Sequence, residues 1–268
     1  LFAALAWAYA PVLSDLARLW WNIPDYSHGF FVAPTACYLA WRRRDSIPKR
    51  LRPSAWGLAV VAAALSAYGF GTATSVRPLE QYSFVAATAG VVLLIGGGRL
   101  LRWAWPMVAF LLFMVPLPHA LATALAAPMQ RIAAAGAVYL AQAAGVPALA
   151  EGTTIEIENA VLEVAFACSG LQMLISFGAV CTAIAMLSNY GPVGKVVVAA
   201  SAAPIALGCN MVRIALVVWA HDRRLAPPRQ LHDAGGVLIV PLTVALVLLG
   251  IFLFERCFPR RTSRATGA

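Results

Sequence analysis

The chain has 268 residues, of which 61% are hydrophobic and only 12% charged, with a formal net charge of +9. Ordinary soluble domains carry about 25% charged residues, so there is too little polar surface here to cover a soluble globule, and the composition points to a polytopic membrane protein. The positive excess is no sign of nucleic-acid binding, because the basic residues are spread along the borders of apolar segments and form no groove interleaved with aromatics.

A bilayer core of about 30 Å needs roughly 20 apolar residues per helix. An all-α polytopic fold with about eight crossing segments is predicted, over residues 1–13, 29–41, 55–71, 82–98, 103–117, 168–188, 195–220 and 235–255. The first is expected to be a membrane anchor rather than a cleaved signal peptide. No internal repeat or linker appears, so residues 1–268 are expected to form a single domain.

The basic residues set the orientation. Arg42, Arg43, Arg44, Lys49, Arg50 and Arg52 crowd one loop. Arg99 and Arg102 lie in a second, Lys195 in a third, and Arg256, Arg260, Arg261 and Arg264 in the tail. With eight spans all four places fall on one side, which the positive-inside rule makes cytoplasmic. Most of the acidic residues, including Asp25, Glu80, Glu151, Glu156, Glu158, Glu163 and Asp233, fall on the other.

The long stretch 118–167 is predicted not to cross. Residues 119–145, with Gln130, Arg131 and Gln142 among small and apolar residues, read as an interfacial or re-entrant helix at the outer leaflet. Alternation with β-branched residues predicts two strands, Glu151 to Glu158 and Val161 to Val164, joined at Asn159-Ala160 as a small hairpin before the sixth span.

That hairpin leads into Ala167-Cys168-Ser169-Gly170-Leu171. Of the five cysteines, Cys37 and Cys181 lie within apolar spans and Cys257 in the basic tail, where each reads as a small hydrophobe. Cys209 is one helical turn before Arg213 and shares its face. Cys168 stands at the water edge of the bilayer, at the start of a helix whose free N–H groups favour an anion and so lower a thiol pKa. Spacing alone leaves two readings of Cys168, a nucleophile or an inert thiol.

Arg213 lies in the otherwise nearly uncharged seventh span, where an arginine is costly and usually functional or paired; the competing reading is a side chain that snorkels to the outer surface. Asn210, three residues earlier, can orient the guanidinium or a substrate carbonyl. His232, where the chain re-enters the membrane, can accept a thiol proton and return it to a leaving amine, or be a solvated loop histidine with His221 as its competitor. All four histidines (His28, His119, His221 and His232) fall on the outer side, yet none has the spacing of a helical metal site, so neither metal nor cofactor is expected. Three consecutive spans thus deliver a thiol, a cation and an imidazole to one depth, the logic of a cysteine acyl-transfer site.

At these residues the chain resembles the exosortase and archaeosortase family of membrane-embedded cysteine transpeptidases. The matching runs are Asp25-Tyr26-Ser27-His28-Gly29, Phe113-Met114-Val115-Pro116-Leu117-Pro118, Leu162-Glu163-Val164 leading to Ala167-Cys168-Ser169-Gly170-Leu171, Asn210-Met211-Val212-Arg213-Ile214, and Leu231-His232-Asp233. Histidine at 232 is the feature of the bacterial, exosortase branch. The resemblance implies Cys168 as nucleophile, with Arg213 and His232 as the other catalytic members. It gives Asn210, Ser169, Gly170, Tyr26, Ser27 and His28 substrate-binding or supporting roles.

It also implies the partners. These are exported proteins with a C-terminal sorting tail: a Pro-Glu-Pro-like motif, one transmembrane helix and a basic cluster. Membrane lipid surrounds the site, and a lipid- or glycan-linked nucleophile can resolve the thioacyl-enzyme. The implied location is the bacterial inner membrane, with the site at the periplasmic face. The alternatives are a multi-pass transporter, for which no two-fold repeat is found, and a membrane acyltransferase using His232.

Overall fold

The computed structural model describes residues 1–158, 160–164 and 169–225; Cys168, His232 and the expected eighth span lie outside the described residues. The described chain is mostly helical with one small three-stranded sheet. It divides into two units, Leu1–Pro118 and His119 onward.

In the first unit, α1 (Phe2–Ala8) and α2 (Ala10–Asn22) are separated at Tyr9. Pro11 near the start of α2 lacks the N–H that would continue α1. The helical segment therefore runs well past residue 13. Its second half is amphipathic: Val12, Leu16 and Trp20 are buried at four-residue intervals, while Asp15 and Arg18 pair at 3.0 Å on the exposed side. A short 3-10 turn, Pro24–Tyr26, leads to α3 (Gly29–Arg42). Gly29 is required there, because the Trp20 indole occupies the space a Cβ would take.

Helix α4 (Trp56–Thr74) and the first half of α5 (Arg77–Phe110) form a hairpin closed by Ser75 in the left-handed region. Without a hydrophobic drive between helices in lipid, close contact needs small residues. Gly57 lies against Leu94 and Gly90 against Val61, forming that seam.

Helix α5 is broken at Gly97, where φ is 68° and ψ −166°. Only glycine fits, since the carbonyl of Arg52 sits against its Cα. Past the break the chain turns back along α3. Trp103 Nε1 donates to Arg43 O at 3.3 Å and Ser46 Oγ at 3.0 Å near one end of α3. Trp20 Nε1 donates to Met114 O at 3.2 Å beside the other. The segments expected at 82–98 and 103–117 are thus the two arms of one broken helix, ending in a 3-10 turn, Leu111–Met114.

The second unit opens with α6 (His119–Ala143) and continues through β1 (Ala148–Glu151), β2 (Thr154–Ile157) and β3 (Ala160–Glu163). The sheet is antiparallel in the order β1-β2-β3, with Glu151 opposite Thr154 and Ile157 opposite Ala160. Three strands replace the expected two. Gly152, at φ 64°, forms with Thr153 a two-residue turn that splits the run 151–158.

Helices α7 (Leu171–Leu187), α8 (Pro192–Ala200) and α9 (Ala202–Asp222) follow. Ala133, Ala134, Ala137, Val138 and Ala141 of α6 bury one side of the sheet together with Ile214, Ala215 and Val218 of α9. The alanine stripe permits close approach, and Gly136 leaves room for Met211.

By length and composition, four segments among the described residues can cross a bilayer: Trp56–Thr74, Arg77–Met114, His119–Ala143 and Pro192–Asp222. Helix α7, at 17 residues, is a shorter apolar helix. The four do not equal the eight expected. One reason is that Arg77–Met114 counts as one although Gly97 divides it; another is that α1 to α3 are individually short. The stretch 119–145, expected to lie at the interface, is a continuous helix long enough to cross.

Candidate active site

Ser169 and Gly170 are the residues after Cys168 that the structure describes, and both are set firmly. Ser169 is completely buried, and its Oγ accepts the Leu171 N–H at 3.3 Å, at the first residue of α7. Gly170, at φ 82°, turns the chain into the helix, and its carbonyl accepts from Leu174 N–H at 2.9 Å. A 17-residue helix therefore begins three residues beyond position 168, and a helix N-terminus carries a partial positive charge.

The neighbour of this turn is Asn210. A Cβ on Gly170 would come within 3.0 to 3.2 Å of the Asn210 side chain. Asn210 is fully buried, and its Oδ1 accepts a hydrogen bond of 2.8 Å from Arg213 Nη2. Arg213 is itself 7% exposed. A buried guanidinium costs several kcal/mol unless its N–H groups are satisfied, so the Asn210 amide serves as its fixed support. Cys209, also fully buried, precedes Asn210 on α9.

The structure thus joins Ser169, Gly170, Asn210 and Arg213 in one place. The carboxamide lies between the turn that follows Cys168 and the one charged residue buried among those described. Gly170→Ala is expected to strain the left-handed turn and push Asn210 away from Arg213. Activity at the site should fall on the order of 10²-fold, with a lower melting temperature from the strained turn and the disturbed Asn210–Arg213 pair; steady-state kinetics beside a melting curve check this.

Tyr26, Ser27 and His28 lie in the first unit, in and just after the turn Pro24–Tyr26. The two ring nitrogens of His28 stand 3.2 Å from Asp25 O and 3.0 Å from Phe113 O. Burial pushes its pKa below the usual histidine range, although both carbonyls favour the charged form. His28 therefore ties the Asp-Tyr-Ser-His turn to the Phe-Met-Val-Pro turn, joining two motifs far apart in sequence. No group of three or more His, Cys, Asp or Glu able to hold a metal ion occurs among the described residues.

Sequence reasoning passed over two supporting side chains. Gln130 Nε2 donates to Val164 O at 2.9 Å, and Gln142 Nε2 to Ala148 O at 2.8 Å, so α6 holds both the start and the end of the sheet. Isolated glutamines in an alanine-rich helix were the available signal.

Residues 20–249 match the family model described as transmembrane exosortase (Exosortase_EpsH). The chain belongs to the transmembrane exosortase family. No curated protein and no solved structure is significantly similar to it. As a family member it is a multi-pass membrane protein and a membrane-embedded sorting enzyme.

Proposed function

We propose that this exosortase-family chain is a cysteine peptidase or transpeptidase of the bacterial inner membrane. It would cleave the C-terminal sorting tail of exported proteins, a Pro-Glu-Pro-like motif followed by a transmembrane helix and a basic cluster. The observation that carries the reading is the contact of Gly170 with Asn210, which holds Arg213. It sets the turn immediately after Cys168 beside a buried, oriented cation.

The Cys168 thiolate attacks the tail's peptide carbonyl, and the new C–S bond forms as the carbonyl π electrons move onto oxygen. Arg213 stabilises that oxyanion. The tetrahedral species collapses, the C–N bond breaks, and His232 delivers to the leaving amine the proton it took from the thiol. The thioester is then resolved by water, an amine, or a lipid- or glycan-linked nucleophile. Tyr26, Ser27 and His28 act as supporting residues. In the purified chain, alkylation of Cys168 should abolish release of the tail from a peptide substrate; full activity after complete alkylation at that residue would sink the reading.

The chain forms a single functional domain with eight crossings and the site at the periplasmic face, α6 not crossing. Support for the last point comes from the sheet. Gln130 and Gln142 hold it along about 18 Å of α6, and its outer side exposes Glu151 and Glu156. That length of α6 cannot sit in hydrocarbon beside exposed carboxyl side chains, and residues 119–129 supply only about 16 Å, short of the roughly 30 Å required. In intact cells a membrane-impermeant maleimide should label Glu156→Cys but should reach Arg50→Cys only after permeabilisation. The reverse pattern would overturn this orientation.

A further inference from the structure

The sheet has two edges, and only one of them runs on into Cys168. In an antiparallel ladder successive residues turn their N–H and C=O groups alternately toward one neighbour and the other. Val164 N–H donates to Thr153 O at 2.9 Å, so residue 164 faces β2. Leu162 and Ala160 face β2 as well, and Val161 and Glu163 direct their backbone N–H and C=O away from it. By the same alternation Ala148 and Ala150 face outward on β1. There α6 covers the edge, for Gln142 donates to Ala148 O. Among the described residues no side chain plays that part at Val161 or Glu163 on β3.

The surroundings of β3 are also open. Val161 is 66% exposed. The residue paired with it, Glu156, is exposed, as is Leu149 beyond that. Proteins blunt such an edge with charged residues, above all lysine, with proline, with a bulge or by keeping it short. The four-residue strand Ala160-Val161-Leu162-Glu163 carries no lysine or proline and pairs in unbroken register with β2.

We propose that the outward edge of β3 is a binding site for an extended peptide segment, the part of the exported protein's tail next to the scissile bond, which adds to the sheet as a fourth strand. The inference deepens the cleavage reading above and rests on it for the identity of the occupant. Continuity with the candidate active site is the reason for that occupant. The strand that would accept the segment becomes, after Val164 to Ala167, the chain at Cys168, whose following residues rest on Asn210. Only three residues, 165–167, separate Val164 from Cys168 in the sequence. Main-chain bonds to Val161 and Glu163 supply affinity without demanding particular side chains. A segment with prolines at alternate positions fits in one register, its proline nitrogens turned away from β3.

The test measures binding apart from chemistry. The full-length Cys168→Ala chain in detergent is titrated with a fluorescent synthetic peptide covering the segment before the transmembrane helix of a tail-bearing protein of the same organism. Adding Val161→Pro deletes an outward N–H without touching the β2 ladder and should weaken binding about ten-fold. Ala150→Pro, on the edge of β1, should leave it unchanged. Independently of any folding effect, peptides N-methylated at single positions should lose affinity at every second residue. Equal binding by Val161→Pro together with a flat N-methyl profile overturns the proposal. So does loss of self-association, rather than of peptide binding, in Val161→Pro, which would assign the edge to a second copy. Either result leaves Cys168 as nucleophile untouched, and normal tail cleavage by Cys168→Ala would reject the nucleophile without altering the binding data.

Discussion

Cys168→Ala, co-expressed with a tail-bearing exported protein, is expected to leave the tail attached, with the cleavage rate down by roughly 10⁴-fold or more. Removing a covalent nucleophile removes the route itself, and what the rest of the site contributes by binding and electrostatics is small beside it. Cys168→Ser should do little better. A serine hydroxyl is far from ionised at neutral pH, and a helix N-terminus that favours a thiolate does not bring an alcohol into range. Both changes are small in volume. Ser169 and Gly170 keep their own anchors on Leu171, Leu174 and Asn210, so expression and melting temperature in detergent should match the parent. Immunoblotting of the substrate for its tail checks the first claim and a melting curve the second. Normal processing by either variant would contradict the assignment.

Arg213→Lys is expected to cost about 10²- to 10³-fold in kcat, the usual loss when one oxyanion donor is removed, with KM nearly unchanged. Lysine keeps the charge but not the planar fork. One guanidinium nitrogen donates to Asn210 Oδ1 at 2.8 Å, and that bond fixes the plane of the group. An ammonium on a flexible stem has no such plane to fix. Arg213→Ala should be as inactive and also less stable, because it leaves a buried Asn210 carbonyl without that donor, a penalty of about 1–3 kcal/mol. The contrast between the two variants separates roles. Arg213→Lys with full activity would make Arg213 a structural charge only.

The parts of this fold legible in the sequence are those set by local pattern. Uniformly apolar runs such as Trp56–Thr74 need only the bilayer as partner, and a helix in the expected place follows. The extension of the first segment to Asn22 was hidden because Ser14, Asp15 and Arg18 interrupt the apolar run, and only packing reveals Val12, Leu16 and Trp20 as the buried stripe. The turn at Gly152 was marked by its glycine, yet the β-branched alternation on either side reads straight through it. Gly97 was one of three consecutive glycines; which of them breaks α5 depends on the Arg52 carbonyl, a residue from another loop. For the site, an arginine in an apolar helix with an asparagine one turn before it announces a pair, and the pair is there. Its contact with Gly170 is tertiary, between α9 and the turn before α7, and no spacing in the chain encodes it. The same holds for His28 and Phe113, which belong to separate motifs and meet only in the fold.

The most direct measurement is to trap the acyl-enzyme. The purified chain is incubated with a tail peptide, quenched in acid, digested and examined by mass spectrometry. The expected result is a peptide containing Cys168 that carries the acyl portion of the substrate, that hydroxylamine removes, and that is lost in Cys168→Ala. Turnover of the tail with the adduct on a different residue, or with no hydroxylamine-sensitive adduct under conditions that accumulate intermediates, would contradict a Cys168 thioester.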